Sequence, residues 1–230
     1  MNRRLRFASA SILLGVGPAL LPAETTDEFF ARMEPLWNAA KTVKTKTKLV
    51  VESESMKSTS LTEIAFEPGA NGHKMRTETQ SEALLFATGV EPGEPMRTRS
   101  LGVSNGEVLF SETTHNGTVS VTKMKAPPAA SPAEAQKKML QATSLNVVGK
   151  ETLNGEPTTV LEARHEGAEM GVSTFYFSDK SGVAVRMTNK NPASKMEMTV
   201  LEHQVLPDID DAIFEYTPPE GATVQDLTNL

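Results

Sequence analysis

Hydrophobic and polar residues along this chain change period twice, and the changes mark out its elements. Phe29, Met33, Leu36, Trp37 and Ala40 recur at helical spacing. Thr25 followed by Glu28 is the capping-box pattern that starts such a helix. Pro35 lies inside the run and predicts a kink or a restart, because proline lacks the amide hydrogen that a helix interior uses. After Val43 the period becomes two. In residues 44–53, Lys44, Lys46 and Lys48 share one side, and Leu49 and Val51 fall on the other with Thr45 and Thr47. Residues 58–67 read as a second strand, with Leu61, Ile64 and Phe66. Residues 74–80 read as a third, with Lys74, Arg76, Glu78 and Gln80 opposed to Met75, Thr77 and Thr79.

Residues 82–96 hold a short apolar stretch and then glycine and proline, which predicts a short helix or a flap. Strands resume at 97–103. Asn105-Gly106 and Asn116-Gly117 are hairpin signals, each followed by another strand, at 107–112 and 118–125. Ser131, Pro132 and Glu134 then start a second helix whose expected apolar side is Ala135, Met139, Leu140 and Ala142. The last third reads as hairpins: 145–151 through Asn154-Gly155 into 158–164, 172–178 through Asp179–Gly182 into 183–190, and a longer strand at 195–206. The sum is about ten strands joined by short turns, which implies antiparallel pairing. The fold class expected is mainly β (α+β): a strongly curved antiparallel sheet, or open β-barrel, with two or three helices covering its open side. No linker-like stretch divides residues 24–230, so one domain is expected there.

The first residues change the picture of compartment. Arg3, Arg4 and Arg6 precede an apolar run from Phe7 to Leu21, which closes on Leu21-Pro22-Ala23. That is the layout of a secretory signal peptide, 1–23, cleaved near Ala23. The run of roughly 15 apolar residues is shorter than the roughly 20 a spanning helix needs. A periplasmic location is expected. Losing the three arginines moves the net charge from −6 to about −9, which gives no electrostatic reason to bind nucleic acid. There is no cysteine, hence neither disulfide nor thiolate chemistry nor an N-terminal lipid on cysteine. Aromatics make up 5% of the chain, yet there are 11 methionines, a residue suited to adaptable apolar surfaces and to ordinary cores alike.

Catalysis leaves no trace in the pattern. His73 and His115 adjoin turns. His165 stands beside Glu162 and Glu166 without further ligands at metal spacing, and His203 reads as a surface position on a strand. No G-x-S-x-G elbow, P-loop or G-x-G-x-x-G is present. Asp208, Asp210 and Asp211 read as a solvated turn after Pro207, because a calcium loop requires more oxygen donors. Asn116-Gly117-Thr118 spells a glycosylation sequon but sits at a hairpin signal in a chain with a bacterial type of leader. The lysine side of 44–48 either meets anionic groups or protects an edge strand from pairing, and the edge strand is the favoured reading. A non-enzyme without cofactor or metal is expected. What remains is shape: helices laid across a curved sheet leave an apolar hollow that Met75, Met124, Met187, Met196 and Met198 are placed to line. The same pattern fits a tightly packed core.

Several segments together resemble a known family. Asp211-Ala212-Ile213-Phe214-Glu215-Tyr216-Thr217-Pro218-Pro219-Glu220-Gly221-Ala222-Thr223-Val224 resembles the ending of the LolA-like periplasmic lipoprotein carriers. The segments 103–109, 149–162 and 175–186 are similar to stretches of exported proteins with that fold, in the same order. The resemblance implies an open barrel closed by helices around a cavity for acyl chains. It implies as ligand-contacting residues Met33, Leu36, Trp37, Leu49, Val51, Met75, Met124, Met139, Leu140, Phe175, Phe177, Met187 and Met198, with a lid hydrogen bond from Arg76. Such carriers have an aromatic-rich strand with an Arg-Pro pair, whereas the corresponding stretch here is Gly72-His73-Lys74-Met75-Arg76.

The function expected is that of an exported soluble monomer holding acyl chains of a lipid or lipoprotein for carriage across the envelope, with inner- or outer-membrane transport proteins as candidate partners. The alternative is a non-catalytic envelope sensor or scaffold of the same fold.

Overall fold

The first helix forms where its cap and its apolar stripe agree. In α1 (Thr26–Asn38) the Thr25 hydroxyl accepts from the Glu28 amide at 3.2 Å, and the Glu28 carboxylate accepts from the Thr25 amide at 2.8 Å. Phe29, Met33 and Trp37, four residues apart, are its buried stripe. Pro35 does not restart the helix. It sits in the last turn, where its missing amide hydrogen costs one bond only, and its carbonyl still accepts from the Ala39 amide. In α2 (Pro132–Met139) the Ser131–Glu134 box forms as expected, and Lys137 and Lys138 favour the negative C-terminal end. Its buried residue is Ala133, with Leu140 just past its end. Ala135 and Met139 face solvent, contrary to the expected apolar side.

The computed structural model describes residues 24–39, 42–69, 72–86, 93–115, 117–128, 131–140, 144–164 and 171–229. The expected leader, Ala40 and Ala142 of the two apolar stripes, Asn116 of the sequon and His165 lie outside the described residues. So do 87–92 of the segment expected to be a helix or flap. Its described part is strand at both ends.

The strands are β1 (Val43–Ser53), β2 (Met56–Glu67), β3 (Lys74–Leu85), β4 (Met96–Asn105), β5 (Val108–His115), β6 (Thr118–Lys125), β7 (Ser144–Leu153), β8 (Glu156–Arg164), β9 (Val172–Ser178), β10 (Ala184–Lys190), β11 (Ser194–Val205) and β12 (Thr223–Asp226). They form one curved open sheet, not closed into a barrel, in the order β12-β6-β5-β4-β3-β2-β1-β11-β10-β9-β8-β7. Two meanders, β1–β6 and β7–β11, are thus sewn together by the antiparallel pair of β1 with β11. β1 is consequently interior, paired along its length with β2 and with β11. Its lysines do not protect an edge, contrary to the favoured reading of the sequence. The last strand, β12, pairs parallel with β6, an addition to the antiparallel pattern that the turns implied.

Directly paired residues of neighbouring strands share a face, so register sorts the side chains. On one face, α1 and α2 lie over β7–β10 and build a core of Phe29, Met33, Trp37, Ala133, Leu140, Leu161, Ala163, Phe175 and Phe177. On the other face, the C-terminal tail crosses β2–β5. There Ile209 and Phe214, from a 3-10 turn at Asp211–Phe214 and the residues before it, pack against Ala65. The Tyr216 hydroxyl donates to the buried Glu112 carboxylate at 2.6 Å, and the tail ends as β12. We call these the helix face and the tail face.

Candidate functional site

The register of the helix face gives a continuous row of side chains. It runs Val147–Leu161–Phe175–Met187–Met198–Leu49 from β7 to β1. Beyond β1 the same row continues as Ser60–Ser81–Thr98–His115. The neighbouring row carries Met196 and Val51, then Ser58, Ala83 and Met96. On the other side, Thr47, Thr62, Thr79, Ser100 and Thr113 stand in line. The face is therefore apolar where the helices cover it and hydroxyl-lined across β2–β5. Ser60 and Ser81 hydroxyls bond at 2.8 Å, and Thr62 and Thr79 at 3.0 Å.

Seven of the expected ligand-contacting residues come together under the helices: Met33, Leu36, Trp37, Leu140, Phe175, Phe177 and Met187. They do so as packed core. Phe29, Met33, Leu161 and Phe177 have 0% exposure, and the Phe29 and Phe177 rings meet edge to face at 5.3 Å. Leu49, Val51 and Met198 lie on the same face beside this core, half-buried. Met75 and Met124 share that face but stand near the opposite strand ends, in the row Val43–Phe66–Met75–Ser104–Leu109–Met124. Met139 is 48% exposed and joins neither group. Arg76 is on the tail face, away from the helices, where its Nη1 donates to the Ile213 carbonyl at 3.3 Å.

The helix cover is bolted to the sheet. Trp37 Nε1 donates to the Gly182 carbonyl at 2.8 Å, a buried bond that fixes the indole. Gly182 has φ 72°, and a β-carbon there would stand 3.1 Å from both Leu36 Cβ and Trp37 Cδ1. Only glycine meets both demands. Arg32 of α1 reaches Asp179 at 2.8 Å and the Thr159 hydroxyl at 2.8 Å, and pairs with Glu24. Burial pushes the Asp179 carboxyl up, but the Thr159 hydroxyl and the Arg32 charge together hold it below its ordinary value. The Glu24 hydrogen bond is the main cause that raises Arg32. Sequence reasoning missed this network, because Arg32, Thr159 and Asp179 are far apart in the chain.

His203 is not a surface position. It sits half-buried on the helix face with Nδ1 3.0 Å from the Thr45 hydroxyl, and burial lowers its pKa. Among the described residues no group of three or more His, Asp or Glu side chains is placed to hold a metal ion. No described helix is long and apolar enough to cross a membrane.

Among the described residues, two cavities of the tail face flank the C-terminal tail. One of about 480 Å³ is lined by residues including Lys44, Lys46, Ala65, Arg76, Glu202 and Ile213. A second, of about 200 Å³, lies between Val103, Phe110 and the tail residues Phe214 and Tyr216.

Neither a family model nor a curated protein matches the sequence. Solved structures do match in fold. An uncharacterized conserved protein from Thermus thermophilus superposes with a TM-score of 0.53 at 14% identity, over 87% of this chain and 98% of that one. The Pseudomonas aeruginosa MucB in its complex with MucA gives 0.44 at 12% identity, over 82% of this chain and 60% of that one. LprF from Mycobacterium bovis gives 0.39 at 13%, over 77% and 93%. The likeness is one of fold.

Proposed function

We propose that this chain is an exported, non-catalytic, single-domain protein of the cell envelope that holds an acyl chain on its helix face. The guest lies beside the helices, not beneath them. The observation that carries the reading is the apolar row Met187–Met198–Leu49, half-buried, which leads from the packed core out to the hydroxyl-lined half that neither α1 nor α2 covers. Met196 and Val51 widen it. Each methylene buried there contributes about 0.8 kcal/mol, and flexible methionines adapt to chains of differing shape. The row ends against hydroxyls, which suits an amphiphile with its polar end over β2–β5. The leader at 1–23 would deliver the chain to the periplasm.

The test is uptake of a fluorescent fatty acid, with mass spectrometry of lipids extracted from natively purified protein. The expected result is saturable uptake that Leu49→Asn and Met198→Gln each weaken about tenfold, with melting little changed. Uptake in both variants equal to that of the parent, or none in the parent protein, removes the reading.

A second reading is an envelope scaffold that engages a protein partner. It is supported by β7, an edge strand paired among the described residues only with β8, whose bulged Val148 is 51% exposed. Such an edge accepts an added strand. A proline at an outward-facing amide of β7 would then abolish capture of the partner and leave fatty-acid uptake intact.

A further inference from the structure

We infer that the 480 Å³ cavity of the tail face, between β1, β2, β3, β11 and the tail, is a binding site for a small zwitterion, one phosphate or carboxylate joined to one ammonium. This site is on the opposite face from the proposed acyl row and does not depend on it.

The cavity is made by a small residue between two long cations. Register places Arg76, Ala65, Lys44 and Gln204 in one cross-strand row. Ala65, largely buried against Ile209 and Phe214, floors the cavity where Arg76 and Lys44 flank it, and Ile213 of the tail walls it. The adjacent row of the same face is Glu78, Glu63, Lys46 and Glu202. A cationic row thus runs beside a mainly acidic one, about 7 Å away, the repeat of side chains on one face of a strand.

The internal pairings leave particular charges over. Lys46 is taken by Glu63 at 2.7 Å. Glu78 is held by Arg99 at 2.9 Å and stands 3.9 Å from Arg76. Arg76 spends one donor on the Ile213 carbonyl. Among the described residues neither Lys44 nor Glu202 forms an ion pair within 4.0 Å; Glu202 faces Lys46 across the strands and acts on it only through space, after Glu63, and Lys44 lies one row along. A cation and a carboxylate therefore open onto one cavity without meeting. An anionic group over Ala65 is met by Lys44 and the remaining donors of Arg76, and an ammonium one short carbon linker away is met by Glu202. An anion alone faces Glu202 unpaired, and a cation alone faces Lys44. Lys44 thereby gains a role that an interior strand does not otherwise give it.

The test titrates isotope-labelled protein with phosphoethanolamine, with inorganic phosphate and with ethylamine, following backbone amide shifts. Phosphoethanolamine should shift the amides of Lys44, Ala65, Arg76 and Glu202 saturably, with phosphate and ethylamine each about tenfold weaker. Lys44→Gln and Glu202→Gln, both at exposed positions, should each weaken it about tenfold without moving the melting temperature. Cosedimentation with phosphatidylethanolamine vesicles, lost in Lys44→Gln, identifies a membrane headgroup as the source. Its absence beside binding of the free compound identifies a soluble metabolite, and either outcome upholds the site. The inference falls if phosphoethanolamine gives no saturable shift, if phosphate alone binds as well, or if both variants bind as the parent does.

Discussion

The two halves of the helix face share one sheet, one curvature and one register, yet they are made of different residues. Over β7–β11 the pairs are Leu161 with Phe175, Phe175 with Met187 and Met187 with Met198. Over β2–β5 the same geometry brings Ser60 to Ser81, and Thr79 to Ser100. The first half has helices to bury against, and its interior is closed by its own aromatic rings. The second has hydroxyls that bond to each other across strands and tolerate water. The lesson is that one face can be half core and half hydroxyl-lined, and the proposed guest is placed at the seam, where Leu49 links the two.

The comparison can be broken most severely in the covered half. Phe177→Ala removes a fully buried ring in contact with Phe29 and Trp37, and should cost about 3–5 kcal/mol in denaturant unfolding. Gly182→Ala should cost less, about 1–3 kcal/mol, because it strains the φ of 72° and presses on Leu36 and Trp37. Weakening of the bolt should show as faster proteolysis of α1.

Asp179 gives a smaller effect with a defined sign. Its folded pKa is depressed, so its contribution is complete above the unfolded value, about 3.9. It drains away as pH falls through the lower folded value. Stability measured from pH 6 down to pH 2 should therefore fall less in Asp179→Asn than in the parent chain. An unchanged acid slope would show that the Arg32–Asp179 pair does not hold the helix. Smallest of all, Thr79→Val in the hydroxyl-lined half loses one partly buried hydroxyl contact. It should change stability by less than about 1 kcal/mol. A loss as large as that of Phe177→Ala would mean that the floor is a second core.

Much of the architecture was legible in local chemistry. Both capping boxes form, and Asn154 and Gly155 take the positive φ of 53° and 83° that an Asn-Gly hairpin turn requires. The alternation in β1 and β3 placed Leu49, Val51 and Met75 on one face and Arg76 on the other. What the alternation could not reveal is which strands lie inside the sheet. Lysines at every second position read as edge protection, and only the long-range pair of β1 with β11 makes β1 interior. Nor does a period of two say whether an apolar face is vacant. Phe175, Phe177 and Met187 satisfy the pattern of a cavity wall and the pattern of a core equally, and α1 decides in favour of core. The Arg32–Asp179–Thr159 contacts and the cavity floored by Ala65 arise from residues distant in the chain, so no local signal announces them.

The parallel strand β12 has a consequence for self-association. It zips onto β6, whose other edge is already occupied by β5. A polypeptide cut short before Thr223 leaves β6 with a bare row of amides and carbonyls, ready to recruit a strand from another molecule. The parallel strand thus hides a sticky edge, and chains cut before Thr223 should betray themselves by aggregating.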